Sequence, residues 1–142
     1  MMKIVTLYRP VGLKELRLII ESGSREFPPR LEWQPIFYPV LNQAYAEAIA
    51  LDWNTNDAFS GYCGIVTRFA LNEAHYLKYP VQNVGGEIHN ELWVPAEELG
   101  AFNENIIGNI EVVTAFFGNE FVMPDDPLLK AALSKFYNTE IQ

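Results

Sequence analysis

The chain has 142 residues and a hydrophobic share of 49%, which suit one domain with its own core and leave little room for two. Its formal net charge of -8 and its lack of a basic tract exclude generic binding to a nucleic-acid backbone, because that affinity comes from clustered Lys and Arg. The single cysteine, Cys63, excludes a disulfide framework within the chain and a cysteine-cluster zinc site, and it indicates a reducing compartment.

Residues 1–9 contain no long apolar segment and no small-residue cleavage pattern. We therefore expect neither a signal peptide nor a membrane span, and no membrane partner. The expected location is the cytoplasm.

The chain opens with a predicted strand and a predicted helix. Residues 3–9 are largely β-branched, apolar or aromatic, which predicts a strand that ends at Arg9. Apolar residues at helical spacing predict a short helix over 13–21, and Ser22-Gly23 supplies its stop.

Prolines and alanines mark the next elements. Residues 27–34 carry two adjacent prolines and predict an ordered loop, and residues 35–40 predict a strand that is interrupted or lies at a sheet edge. The alanine-rich segment after them predicts a helix capped by Asn42 and running up to Trp53.

The middle of the chain is rich in strand signals. Residues 62–71 form its longest β-rich run, and residues 79–84 predict another extended piece. A single helical turn over 73–78 is expected between them.

The stretch from Val84 to Pro95 concentrates polar and aromatic side chains. Two glycines precede a run whose residues alternate in kind, which predicts a strand over 87–94 with two different faces. One face is mostly apolar: Ile88, Asn90, Leu92 and Val94. The other face carries carboxylates, an imidazole and an indole: Glu87, His89, Glu91 and Trp93. This second face needs solvent or a ligand, so it is the first candidate for a functional site.

The last third predicts a helix, a long strand and a second helix. A helix begins at Pro95, with acidic residues in its first turn, and residues 106–117 predict a strand with Gly108 as a possible bulge. An amphipathic helix is predicted over 125–137. The whole pattern predicts the α+β class: a single domain over 1–142, with largely antiparallel sheets flanked by short helices.

Three other kinds of site fit the sequence poorly. The two histidines, His75 and His89, lack a metal-binding spacing, so no metal is expected. Glu87 and Glu91 would be about 13 Å apart on a straight strand, whereas the carboxyl groups of a retaining glycosidase lie about 5 Å apart. No nucleophile elbow is present, and Cys63 is interpreted as a small buried apolar residue.

Three short runs resemble the signature of the NAD-dependent ADP-ribosyltransferase fold: Leu7-Tyr8-Arg9, then Ile36-Phe37-Tyr38 before a helix, then Asn90-Glu91-Leu92-Trp93-Val94. That family carries a His or Arg on the first strand, a Tyr or Ser before a helix and a Glu on a later strand. The resemblance covers about residues 3–118, implies the split sheet of that fold, and leaves the C-terminal helix outside it.

The chain is also similar to small bacterial proteins labelled "ADP-ribosylation/crystallin J1". The similar runs are Leu-Tyr-Arg-Pro-Val-Gly, Phe-Pro-Pro-Arg-Leu and Glu-Leu-Trp-Val-Pro-Ala-Glu-Glu-Leu. Only the first half of that label suits this chain, because crystallin J1 relatives are helical, metal-dependent hydrolases and this sequence is short and strand-rich.

The resemblance implies roles for individual residues. Arg9 would contact the adenosine ribose or a phosphate of NAD, and Tyr38, or else Phe37, would stack on nicotinamide. Glu91 would bind the nicotinamide ribose hydroxyl, with Glu87 as a rival for that role. Two more side chains would line the groove: His89 and Trp93.

Two functions follow from these expectations. The first is transfer of ADP-ribose from NAD to an unknown acceptor, or hydrolysis of NAD by the same chemistry, with NAD as a substrate. A carboxylate suits this reaction because breaking the glycosidic bond creates positive charge on the ribose. The second is a noncatalytic domain of the same fold that binds a nucleotide or a protein.

Overall fold

The computed structural model describes the backbone of residues 3–141 and the side chains of residues 3–137. Residues 1, 2 and 142 of the predicted domain lie outside the described residues. Within the described part, seven strands form: β1 (Ile4–Val11), β2 (Ile36–Phe37), β3 (Cys63–Asn72), β4 (Gln82–Asn83), β5 (Asn90–Glu91), β6 (Val94–Pro95) and β7 (Ile106–Phe117). Five α-helices accompany them: α1 (Leu13–Glu21), α2 (Gln43–Asp52), α3 (Glu73–Tyr76), α4 (Leu99–Glu104) and α5 (Pro127–Ile141).

A three-stranded antiparallel sheet in the order β1-β3-β7 is the centre of the fold. The predicted α+β class with antiparallel sheets and short helices is confirmed. Side chains alternate along β1, so Leu7, Arg9 and Val11 point to one buried face and Tyr8 points to the other. The larger core lies on the first face, and α2 covers the second. Arg9 therefore lies on the side of the larger core, opposite α2.

Single-residue bridges extend this sheet beyond β1. Val40 pairs with Tyr8 on one side and with Glu91 on the other, so three chain segments lie side by side. The Tyr8 and Val40 backbones exchange two hydrogen bonds of 2.9 and 2.8 Å. Two short antiparallel ribbons, β2 with β6 and β4 with β5, flank this junction and hold its strands in register.

The prediction of a bulge at Gly108 is confirmed. The pairing of β3 with β7 shifts between Arg68–Glu111 and Ala70–Ile107, so β7 carries extra residues at this point. Gly108 lies there with φ of 76°, a conformation that glycine adopts without a Cβ penalty.

Two strand predictions need correction. The run over 87–94 is not continuous, because residues 84–89 form a tight turn in which the His89 backbone N–H donates to the carbonyl of Gly86 at 3.0 Å. The two glycines before the run permit this turn, which leaves Ile88 44% exposed rather than in the core. The alternation holds only from Glu91 onward. The extended piece predicted over 79–84 is a strand only over Gln82–Asn83. The prediction of an interrupted strand over 35–40 is confirmed, because Ile36–Phe37 is a regular strand, Val40 forms only single bridges, and Pro39 has no backbone donor to continue a ladder.

Most helix predictions match the structure, but the helix predicted to begin at Pro95 starts later. Pro95 has an extended backbone and belongs to β6, a 3-10 turn follows over Ala96–Glu98, and α4 begins at Leu99. Helix α1 has the predicted bounds, and the Asn42 side chain caps α2 by accepting a hydrogen bond of 2.7 Å from the Tyr45 backbone N–H. Helix α5 belongs to the same core as the sheet, because Leu129 and Leu133 are buried in the main cluster. None of the helices in the described residues is long and apolar enough to cross a membrane.

Candidate functional site

A cleft of about 610 Å³ opens at the carboxyl end of β1, between the first turn of α1 and one side of α2. Its volume lies in the range of about 300 to 1,000 Å³ that is usual for small-molecule sites. Aromatic side chains contribute much of its wall: Tyr38, Tyr45, Trp53, Phe59 and Trp93. Its charged lining residues are three basic and three acidic: Arg9, Lys14, Arg30, Glu15, Asp57 and Glu91. The cleft is therefore balanced in charge within a strongly acidic chain.

The structure brings Arg9, Tyr38 and Glu91 to this one cleft. The reason is the bridge of Val40 to both Tyr8 and Glu91, described above. Arg9 follows Tyr8 along β1 and Tyr38 precedes Val40 by two residues, so the three side chains come from adjacent segments of one sheet. Their separation along the chain is therefore no obstacle to a common ligand.

Glu91 is held in place by two donors. The Trp93 indole N–H donates to Oε1 at 2.7 Å, and the Tyr45 hydroxyl donates to Oε2 at 2.9 Å. Glu91 is only 9% exposed, yet it lines the cleft. Each carboxylate oxygen has a second lone pair, so Glu91 retains acceptor capacity for a ligand.

Arg9 is a buried arginine with protein partners of its own. It forms a forked ion pair with Glu15, with Nε and Nη2 donating to the two carboxylate oxygens at 2.7 and 2.9 Å. Its guanidinium lies 4.6 Å from the centre of the Phe37 ring, and Nη1 donates to the carbonyl of Tyr38 at 3.4 Å. The residue is 8% exposed, so it is not a solvated arginine at a strand end. Its orientation is set before any ligand arrives.

Three of the other candidate residues lie outside the cleft lining. Phe37 is 0% exposed and packs in the core against Phe27 and Phe102, so it has no face left for stacking on nicotinamide. His89 packs its ring on Tyr45 at 4.8 Å and accepts a hydrogen bond at Nδ1 from a backbone N–H in the turn over 84–89. Glu87 is exposed on that same turn.

The sequence did not indicate several of the cleft residues, and two of them are Tyr45 and Arg30. Tyr45 had a readable signal, since it is the one aromatic residue in the alanine-rich helix that Asn42 caps. Arg30 had none, because an arginine in a proline-rich loop is usually a surface residue. Both residues reach the cleft only because the fold packs their segments against segments that are distant in sequence.

The Tyr45 hydroxyl makes stability sensitive to alkaline pH. Burial, together with the hydrogen bond to Glu91 and the charge of that carboxylate, raises the pKa of Tyr45 to about 12. The unfolded chain then loses this proton near its ordinary pKa of about 10, before the folded protein does, so the contribution to stability is present below pH 10 and is lost as pH rises toward 12.

We expect urea denaturation to show a steeper fall in stability between pH 9.5 and 11.5 for the wild type than for Tyr45→Phe. Tyr38→Phe is the matched control, because the Tyr38 hydroxyl lies in the same cleft and has no hydrogen-bond partner among residues 3–137. If stability falls equally steeply with pH in the wild type and in Tyr45→Phe, the raised pKa of Tyr45 is contradicted.

The remaining reactive side chains lie elsewhere. Cys63 is fully buried, as predicted, and burial raises the pKa of its thiol to about 12, which suits a packing role. His75 is buried against Tyr79, and burial lowers the pKa of its imidazole. Among the described residues, no three His, Cys, Asp or Glu side chains are grouped as metal ligands would be.

Comparison of the chain with protein-family models, curated proteins and solved structures finds no match. The candidate function therefore depends on the geometry of the cleft and on the three short runs that point to its residues.

Proposed function

We propose that the cleft binds NAD and that the chain cleaves the bond between nicotinamide and ribose, as an ADP-ribosyltransferase or an NAD glycohydrolase. The observation that carries this proposal is that Arg9, Tyr38 and Glu91 line one cleft of small-molecule size. These are the residues that the resemblance names for contact with ribose or phosphate, nicotinamide stacking and ribose activation.

The reaction places positive charge where Glu91 can act on it. The bond between nicotinamide N1 and ribose C1′ breaks, and both of its electrons go to the nicotinamide ring, which becomes neutral. Positive charge develops on the ribose, and a carboxylate fixed beside it favours the transition state over the ground state. Water or an acceptor nucleophile then bonds to C1′ and releases a proton. The product is ADP-ribose or an ADP-ribosylated acceptor.

Tyr38 and Trp93 supply the stacking surface. They lie one residue beyond the paired residues Phe37 and Val94 on opposite strands, and both line the cleft with 42% and 44% of their surface exposed. A flat aromatic ligand such as nicotinamide can displace water from these rings at little cost, because both are already held by a packed strand pair.

A comparison of two glutamate-to-glutamine variants tests the proposal. Nicotinamide release from NAD should depend on Glu91 and not on Glu87, which is exposed on the turn over 84–89 and does not line the cleft. The variants are Glu91→Gln and Glu87→Gln, which remove the same charge from two sites, one in the cleft and one outside it. Equal release by the wild type and both variants would contradict the catalytic role of Glu91.

A noncatalytic binding domain is the second candidate. It is favoured by one observation: Arg9 and Glu91 already have protein partners in Glu15, Tyr45 and Trp93, as a purely structural polar network would. This function predicts that NAD or a related nucleotide binds in calorimetry while no nicotinamide is released. If no nucleotide binds at all and a purified protein partner does, the domain is a protein-binding module.

The proposed setting is the cytoplasm, where NAD is available to an enzyme of this kind. The acceptor is a nucleophile other than a generic nucleic-acid backbone, because the chain carries a formal net charge of -8.

A further inference from the structure

Arg30 is a charged cleft residue without a carboxylate of its own. Its Nε is buried and has no hydrogen-bond partner among residues 3–137. Its guanidinium carbon lies 5.9 Å from the centre of the Phe37 ring, and Arg9 lies 4.6 Å from the same ring. Glu15 acts electrostatically on Arg30, but both of its oxygens already accept hydrogen bonds from Arg9. Two guanidiniums therefore share one carboxylate.

This arrangement costs free energy in the absence of an anion. Burial and the neighbouring Arg9 guanidinium lower the pKa of Arg30, since both disfavour its positive charge. A partly buried cation beside another cation is stabilised by a negative group that can bridge them. Among the cleft residues the carboxylates of Asp57 and Glu91 have other partners, in Ser60, Tyr45 and Trp93.

The loop that carries Arg30 is anchored on both sides of it. On the N-terminal side the Phe27 backbone and the Asn103 side chain exchange two hydrogen bonds of 2.9 Å each. On the C-terminal side the Ala96 N–H donates to the carbonyl of Pro35 at 2.8 Å, and the Leu31 N–H donates to Gln34 Oε1 at 2.9 Å within the loop. Pro28 and Pro29 between these anchors restrict the backbone further. The position of Arg30 is thus set by the fold, which suits a binding group.

We infer that Arg30 and Arg9 together form an anion site in the cleft, and that the anion is a diphosphate. The Arg30 guanidinium presents parallel N–H donors that match phosphate oxygens. Arg9 uses three of its five N–H donors on Glu15 and the Tyr38 carbonyl, and the remaining two can donate to the second phosphate of a diphosphate. The diphosphate can be a free one or that of a dinucleotide. The inference lies in the same cleft as the proposed function but does not require NAD cleavage.

Calorimetry with inorganic pyrophosphate and with ADP-ribose tests the site. Arg30→Met keeps an unbranched side chain over Phe37 and removes the charge. We expect it to weaken binding of at least one of the two probes by about tenfold or more, because the charge-assisted hydrogen bonds from the guanidinium to the phosphate oxygens are lost. Arg25→Met is the control, since Arg25 is exposed and outside the cleft lining and its replacement changes the net charge equally.

Thermal melting separates a binding role from a structural one. Without ligand, Arg30→Met should melt at the same temperature as the wild type or above it, because it removes a buried charge that lacks a partner. If Arg30→Met does not fold, Arg30→Lys replaces it: weaker binding supports the site, because the fork is lost, and unchanged binding contradicts it.

The two probes also identify the source of the diphosphate. Binding of pyrophosphate alone indicates a free diphosphate, and binding of ADP-ribose indicates a diphosphate that is part of a nucleotide. Unchanged affinity in Arg30→Met, or a wild type that binds neither probe, would overturn the anion site. Diphosphate binding that depends on Arg30, with no release of nicotinamide from NAD, would keep the anion site and reject the proposed function.

Discussion

Glu91→Gln is expected to lower the rate of nicotinamide release from NAD by about 10²- to 10³-fold, the usual effect of removing one preorganised group that stabilises transition-state charge. The amide that replaces the carboxylate is neutral, so it cannot stabilise the positive charge that develops on the ribose. The measurement is kcat/KM for nicotinamide release, followed by chromatography. A loss of less than about threefold would be worth under about 1 kcal/mol and would remove Glu91 from the mechanism.

The glutamine variant is informative because the fold can accept it. The Trp93 indole can only donate, so the amide oxygen of the glutamine must face it. The amide N–H₂ then faces Tyr45, whose hydroxyl can rotate and accept in place of donating. We therefore expect Glu91→Gln to melt within a few degrees of the wild type, whereas Glu91→Ala would leave both donors without a partner. Glu87→Gln, on the exposed turn, should match the wild type in rate and in melting.

Arg9→Met is expected to lower the free energy of unfolding by about 2 to 4 kcal/mol, because it removes the two hydrogen bonds and the nearest positive charge from the partly buried Glu15 carboxylate. The side chains of Arg9 and Glu15 are 10% and 20% exposed, so water replaces the lost ion pair only in part. The methionine retains an apolar side chain next to Phe37, which limits the loss of packing. Urea denaturation at neutral pH gives the free energy directly.

A second ion pair on the same sheet provides the control. Arg68 and Glu111 form a cross-strand pair with side chains 42% and 60% exposed, and exposed pairs contribute about 0 to 1 kcal/mol. Arg68→Met should therefore cost far less than Arg9→Met. Adding Glu15→Gln to Arg9→Met should recover part of the stability, since it removes the unpaired charge. Equal costs for the two arginines would show that burial of the Arg9 pair does not matter.

The parts of the fold with strong local signals could be predicted from the sequence. Strand β1, helices α1 and α2 and the bulge at Gly108 follow from periodicity, capping and glycine chemistry, which act over a few residues. The turn over 84–89 was missed because alternation of residue types suggested a strand, while the two glycines and the hydrogen bonds of the His89 side chain and backbone close a turn instead.

The site was only partly predictable for a different reason. Arg9, Tyr38 and Glu91 could be named from short runs, but their meeting depends on the bridges through Val40, which join segments far apart in sequence. The burial of Phe37 and the role of Tyr45 as a donor to Glu91 are likewise results of tertiary packing. Local patterns indicate which residues have useful chemistry, and only the packed structure shows which of them share a cleft.

Mass-resolved detection of NAD turnover tests the central claim most directly. The purified chain is incubated with NAD, alone and with cell extract, and nicotinamide, ADP-ribose and ADP-ribosylated products are measured together. We predict that nicotinamide accumulates in equal molar amount to ADP-ribose or to a modified acceptor, and that Glu91→Gln lowers the rate of this accumulation by about 10²-fold or more while Glu87→Gln does not change it. NAD that stays intact with the wild-type chain, both alone and with extract, would contradict the proposed activity.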